Sequence, residues 1–228
     1  MRALVTGSAS GIGAAIVDRF RAEGVEVHGL DLVDGFDVSD AAAWERVPEV
    51  QLACLNAGVL TGERDVGALT DEQYRRILSV NVDGVVFGVR ALARRMDAGG
   101  AIVAMASLAG LTDIPSDPIY GLTKSAVVGF VRSVAPQLAD RRIRINCVCP
   151  GIVDTPMIDA AGMRAAAEAA NFPLLTAADV ADAVWCAATT GGTGEAWVVQ
   201  PGRDAEPYRF RGVPGPRVAG AEGARPPL

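Results

Sequence analysis

Residues 2–24 read RALVTGSASGIGAAIVDRFRAEG. Arg2 to Thr6 are short and β-favouring. Ala14 to Glu23 carry a helical periodicity, and Gly24 stands where a helix C-cap belongs. Between them lies Gly7-Ser8-Ala9-Ser10-Gly11-Ile12-Gly13, a G-x-x-x-G-x-G turn. Each glycine has a physical task. Gly7 permits a tight exit from the strand, Gly11 lets backbone approach a diphosphate, and Gly13 lets the helix pack on the strand. The helix start then aims unpaired N–H groups and a positive dipole end at phosphate. A glycine-rich turn alone is a weak motif. Here strand and helix flank it as required, which disfavours an ordinary tight turn. Val25 to Leu30 form a second strand, and Asp31 ends it. An acid about 20 residues past such a turn is placed to bond a ribose 2′-hydroxyl, and it repels a 2′-phosphate. No Arg or Lys stands at Ser10 or Leu32 to serve that phosphate.

Working outward, the same alternation continues. Gly35 to Val38 reads as a short third strand, followed by a Ser39/Asp40 cap and a short helix around Ala41 to Arg46. Leu52 to Leu55 is a buried-strand run ending in Asn56-Ala57-Gly58. Asp71 to Met96 forms one long helix or two stacked ones. Asn81 sits inside it on an apolar stretch, and Asn is a mediocre helix former that asks for a partner there. Ala101 to Ala106 is apolar without alternation, as expected of a strand covered on both faces, and Ser107 terminates it. A loop to Asp117 leads to a helix that starts near Pro118 and runs through Ala139. Arg142 to Cys149 is a strand ending in Pro150-Gly151. Ile152 to Leu175 is irregular to helical, Ala177 to Ala188 is a helix capped by Thr176, and Glu195 to Gln200 is a last strand. From Pro201 the chain is rich in Pro, Gly and Arg. Tyr208 and Phe210 should pack back on the body, and the terminal dozen residues should be extended or weakly ordered. The organisation is one catalytic domain over residues 1–200 and a tail over 201–228. The fold class is α/β, a doubly wound parallel sheet of about seven strands with right-handed crossovers and helices on both faces. In such sheets ligands lie beyond the carboxyl ends of the strands. Gly7 to Gly13, Asp31, Asn56 to Gly58, Ser107 and Pro150-Gly151 all fall there.

The composition bounds the functions open to this fold. The chain has 228 residues, half of them hydrophobic and 21% charged, with net charge −6. It is therefore globular. No basic run appears, which argues against nucleic acid. The longest apolar stretches are too short to span a bilayer. Met1 lies too close to the first strand to leave room for a signal peptide. Cys54, Cys147, Cys149 and Cys186 read as buried reduced thiols, which suits a cytoplasmic location. Cys147-Val148-Cys149 has the wrong spacing for a zinc site, and no metal site can be assembled around the single His28.

Tyr120 and Lys124 are four residues apart at the start of the Pro118 helix, one turn apart on one face. A free phenol has a pKa of about 10, too high for a base at neutral pH. A neighbouring lysine cation lowers it, which would make the pair a device for proton transfer. Alone, the pair is as compatible with a half-buried ring beside a solvated charge.

In order, Thr6-Gly7-x-x-x-Gly11-x-Gly13, Asn56-Ala57-Gly58, Asn81, Ser107, Tyr120 with Lys124, and Pro150-Gly151-x-Val153-x-Thr155 resemble the motifs of the short-chain dehydrogenase/reductase (SDR) family. The resemblance covers about Arg2 to Gln200. It implies a nicotinamide-dependent oxidoreductase of alcohols and carbonyls, with Asn81, Ser107, Tyr120 and Lys124 as catalytic tetrad. Tyr120 would be the general acid/base, and Lys124 would lower its pKa and hold the nicotinamide ribose. Ser107 would orient the substrate oxygen, and Asn81 would hold a water linked to Lys124. The cofactor would be NAD, with NADP disfavoured by Asp31. It would be held by Gly7, Ser10, Gly11, Ile12 and Gly13, by Asp31 and Leu32, and by Asp37 and Val38 at the adenine. Asn56, Ala57 and Gly58, then Pro150, Gly151, Ile152, Val153 and Thr155, would complete that surface, with Tyr120 and Lys124. The family also implies a homo-oligomer, a tetramer or a dimer.

Three features depart from the family pattern. The Thr155–Leu175 segment is short and alanine-rich, implying a small lid. Gln200-Pro201-Gly202 stands where many members carry Asp-Gly-Gly, and the tail is proline-rich. Leu108, Ala109, Leu111, Ile114, Met157, Ile158, Met163 and Phe172 are apolar pocket candidates, which as a set suit a hydrophobic secondary alcohol or ketone. Two rival readings are a non-catalytic NAD(H)-binding regulatory module and a dehydratase or epimerase. The joint presence of the four tetrad residues argues against the first, and the want of further acid/base groups against the second.

Overall fold

The glycine-rich turn joins β1 (Arg2–Thr6) to α1 (Gly11–Ala22) in the computed structural model, which describes residues 1–160, 162–222 and 224. The remaining strands are β2 (Glu26–Leu30), β3 (Leu52–Leu55), β4 (Ala101–Met105), β5 (Arg144–Pro150), β6 (Ala196–Val199) and β7 (Glu206–Pro207). The remaining helices are α2 (Asp71–Leu78), α3 (Gly84–Arg95), α4 (Pro118–Ala139), α5 (Pro156–Ala160), α6 (Met163–Ala169) and α7 (Ala177–Thr189). They surround one sheet in the order β2-β1-β3-β4-β5-β6-β7. All neighbours are parallel except the last pair. The order reverses at β1, with Val5 facing Gly29 on one side and Cys54 on the other.

Two apolar layers sandwich the sheet. Ile16 and Phe20 of α1 and Val180 and Val184 of α7 cover one face. Val89 and Leu92 of α3 and Val127 and Val131 of α4 cover the other. β3 and β4 are buried at every residue, which explains their unbroken apolar sequences. Capping boxes start α2 at Thr70/Gln73 and α7 at Thr176/Asp179. Among the described residues no helix is long and apolar enough to cross a membrane.

The expected third strand does not form. Gly35 to Val38 lies outside the sheet, after a 3-10 turn over Leu32–Asp34 that Gly35 closes at φ 81°. A parallel crossover needs a dozen or more residues, and Asp31 to Asp34 cannot supply them. β2 is therefore an edge strand. At the other edge the tail contributes β7, which pairs antiparallel with β6. Tyr208 N–H donates to the Ala196 carbonyl at 2.7 Å. Phe210 packs on the α3/α4 side, with the Arg132 guanidinium 3.7 Å from its ring centroid. Tyr208 stacks edge-on against Phe210 but stays 45% exposed. The expectation for the terminal dozen residues falls partly on 223 and 225–228, outside the described residues.

Helix over Asp71 to Met96 is two helices joined by a π turn over Ser79–Asp83. Cys54, Cys147 and Cys149 are buried, but Cys186 is exposed. Its place on α7 turns it outward, while Ala183, Val184 and Ala187 face the core.

Candidate active site

Gly7 and Gly11 adopt φ of +64° and +52°, left-handed values that favour glycine. A Cβ on Gly13 would lie 1.8 Å from the Gly7 carbonyl oxygen, so only glycine lets α1 approach β1 this closely. Asn56 stitches the turn to β3. Its backbone N–H donates to Thr6 Oγ1 at 2.9 Å, and its Nδ2 donates to the carbonyls of Thr6 and Gly7 at 3.0 and 3.2 Å. No side chain caps α1 at Ser10, so the first N–H groups of the helix are left unclaimed by any side chain at this end. The Asp31 carboxylate accepts from Ala9 N–H at 2.9 Å and Val33 N–H at 3.2 Å. It ties the turn to the end of β2 and keeps lone pairs for a further donor. The turn, an uncapped helix start and an acid across from it make a cradle that fits a dinucleotide.

This cradle is one end of a cavity of about 720 Å³ along the carboxyl edge of the sheet. Every expected cofactor residue lines it except Gly13, which lies beneath the turn in its packing role. Leu108, Ala109, Ile114, Met157, Ile158, Met163 and Phe172 line the other end. Leu111 does not; it packs against the core on the α3/α4 side, because the 3-10 turn over Leu108–Gly110 swings it away from the cavity. Arg76, Asp113, Asp117 and Gln200 add polar groups to the walls that were not anticipated.

Ser107, Tyr120 and Lys124 meet on the cavity floor. Ser107 lies two residues beyond β4, caps the 3-10 turn over Leu108–Gly110 and accepts from Ala109 N–H at 3.2 Å. Lys124 is 3% exposed, donates to the Met105 carbonyl at 2.9 Å, and sits 5.5 Å from the Tyr120 ring centroid. Burial lowers its pKa to about 8, which Cys149 partly opposes. The Tyr120 side chain is half-buried, and its pKa is pushed up to about 12. Burial is the main cause; the hydrogen bond with Ser107 opposes it, and Asp117 and Cys149 reinforce it. The direction thus runs against the sequence expectation of a lysine-lowered phenol, because desolvation outweighs the Ser107 hydrogen bond that opposes it.

Asn81 does not line the cavity. The π turn points it inward, fully buried, where Oδ1 accepts from Val59 N–H at 2.8 Å. Its Nδ2 donates to the Val59 carbonyl at 2.9 Å and to Thr123 Oγ1 at 3.1 Å, and Thr123 donates to the Tyr120 carbonyl at 2.8 Å. A Cβ on Gly58 would come within 3.3 Å of both Asn81 Oδ1 and Lys124 Nζ, so the glycine keeps that corner open.

Asp117 is the principal residue that sequence reasoning missed. It caps α4 ahead of Pro118, and both carboxylate oxygens accept hydrogen bonds. An Asp directly before Pro at a helix start carries a legible capping signal; its reach to Thr61 and Gly62 carries none.

A family model described as enoyl-(acyl carrier protein) reductase matches residues 35–202. The 2-(R)-hydroxypropyl-CoM dehydrogenase of Xanthobacter autotrophicus is 35% identical over 222 residues, covering 80% of this chain and 88% of that protein. The NADP-dependent (R)-specific alcohol dehydrogenase of Lentilactobacillus kefiri is 33% identical, covering 69% of this chain and 75% of that protein. Among solved structures, a short-chain dehydrogenase/reductase (glucose/ribitol dehydrogenase) from Brucella melitensis superposes with TM-score 0.80 at 25% identity, covering 88% of this chain and 95% of that one.

Proposed function

The chain belongs to the short-chain dehydrogenase/reductase family, oxidoreductases of CH–OH groups, and we propose that it interconverts a hydrophobic secondary alcohol and its ketone with NAD. The observation that carries this reading is the meeting of Tyr120, Ser107 and Lys124 on the floor of the same cavity that holds the glycine turn and Asp31. A nicotinamide dinucleotide bound in that cradle supplies the hydride acceptor or donor. The turn and the start of α1 would hold its diphosphate, Asp31 its adenosine ribose, and Lys124 its nicotinamide ribose.

The chain's own residues move the proton. Protonated at neutral pH, Tyr120 gives its hydrogen to the substrate oxygen during ketone reduction. Its phenolate takes the alcohol proton in the reverse direction. Ser107 holds that oxygen through its hydroxyl. The Lys124 cation favours the phenolate once formed, and Asn81 fixes the loop and helix around it. The apolar wall of Leu108, Met157 and Ile158 excludes water and suits a hydrophobic substrate. Preference for NAD rests on Asp31, although the Lentilactobacillus relative is described as NADP-dependent. The enzyme acts as a homo-oligomer, a tetramer or a dimer, in the cytoplasm. The test is oxidation of NADH with a panel of ketones. Tyr120→Phe should lower the rate at least about a hundredfold while NADH still binds. Activity that survives the substitution refutes the mechanism.

A further inference from the structure

We infer that Asp117 is a positioning residue that latches the loop after β3 to the first turn of α4 and so sets the cavity wall beside Tyr120. This rests on the reading of Tyr120 as acid/base. Capping a helix takes one acceptor. Asp117, only 6% exposed, accepts four hydrogen bonds from two segments distant in sequence. Its Oδ1 takes the Tyr120 N–H at 2.9 Å and the Thr61 hydroxyl at 2.6 Å. Its Oδ2 takes the N–H groups of Thr61 and Gly62 at 2.9 and 3.1 Å. Thr61 Oγ1 in turn accepts from Glu63 N–H at 3.0 Å, so the loop is ordered around this carboxylate.

The loop is clamped at both ends. Asn81 holds Val59 through two bonds, and Asp117 holds Thr61 and Gly62. Leu60 lies between the clamps and faces the cavity, as do Ile114 and Tyr120. A latch to the helix that carries Tyr120 therefore fixes the distance between an apolar wall and the reacting oxygen. The latch also places a negative charge near the phenol, which opposes its ionisation. The other titratable and charged groups around it are Lys124 on α4, Cys149 on β5, Asp113 in the preceding loop and Arg76 on α2.

Asp117→Asn separates the latch from the cap. One oxygen can still accept from Tyr120 N–H, while the new NH₂ faces two N–H donors of the loop. Hydrogen exchange at Thr61 and Gly62 should speed up about tenfold or more in the ligand-free protein. KM for the ketone should rise about tenfold, with kcat and NADH affinity changed less than about threefold. The pH limb for alcohol oxidation should move to lower pH, because the charge that opposes the phenolate is gone. Thr61→Val keeps the cap and the charge. It should raise exchange and KM by smaller factors without moving the limb, and it reads the latch if Asp117→Asn does not fold. Unchanged exchange at Thr61 and Gly62, or unchanged KM with an unmoved limb, overturns the inference. A wild-type protein that reduces no ketone refutes the proposed function instead, and the exchange measurement still judges the latch.

Discussion

Replacing Lys124 with Met should abolish activity and stabilise the protein at neutral pH. The ammonium is 3% exposed and its pKa falls from 10.5 to about 8, chiefly through burial. At about 1.4 kcal/mol per unit, holding the charged form in the fold costs about 3 kcal/mol at pH 7. The substitution also strips the Met105 carbonyl of its donor at 2.9 Å, a loss of about 1–2 kcal/mol. The variant should then be more stable by about 1–2 kcal/mol, a Tm rise of about 2–8 °C for a chain of this size. The sign with pH is distinctive. Because the folded-state pKa is depressed, the unfolded chain binds more protons between about 8 and 10.5. The cost is full below about 8 and disappears as pH rises toward 10.5, so wild-type stability climbs through that window and the variant's does not. Near pH 10 the lost hydrogen bond dominates and the order reverses. Thermal unfolding of both proteins without cofactor, at pH 7 and pH 10, is the assay. A variant less stable at pH 7, or a gap that does not change with pH, refutes the reasoning.

Two further outcomes follow from the cradle. Asp31→Ala should shift the ratio of kcat/KM for NADPH over NADH upward by at least about tenfold; a wild-type enzyme equally efficient with both cofactors refutes the assignment. Gly13→Ala drives a methyl to within 1.8 Å of the Gly7 carbonyl. NADH titration by fluorescence should show affinity lost by more than about a hundredfold, and retained binding would show that α1 can move away from β1.

The cofactor end was legible because its chemistry is backbone chemistry. Glycines at Gly7, Gly11 and Gly13 mark conformations and close approaches that no other residue serves, and unbroken apolar runs mark β3 and β4. Gly35 to Val38 misled because its short Phe-Asp-Val run resembles a strand, while the constraint that forbids one is the length of the connection. Leu111 misled because apolarity alone does not say which way a 3-10 turn points a side chain. The direction of the Tyr120 pKa was unreadable, since the sequence names the cation but not the depth of burial. Asp117 escaped because its partners lie in a loop with no periodicity of its own.

The π turn over Ser79–Asp83 does more than aim Asn81. Each residue of an α-helix advances the angle by about 100° and the axis by about 1.5 Å, so an inserted residue is a phase jump. Val85, Val89 and Leu92 lie in the core beyond a π turn whose wider winding absorbs that jump. Winding Ser79 to Asp83 as regular α-helix with every residue kept would lose that absorption. It would turn those core side chains by about 100° and withdraw the amide that holds Val59. Core and active site are thus set from one angular origin, and a change of winding there cannot alter one without the other.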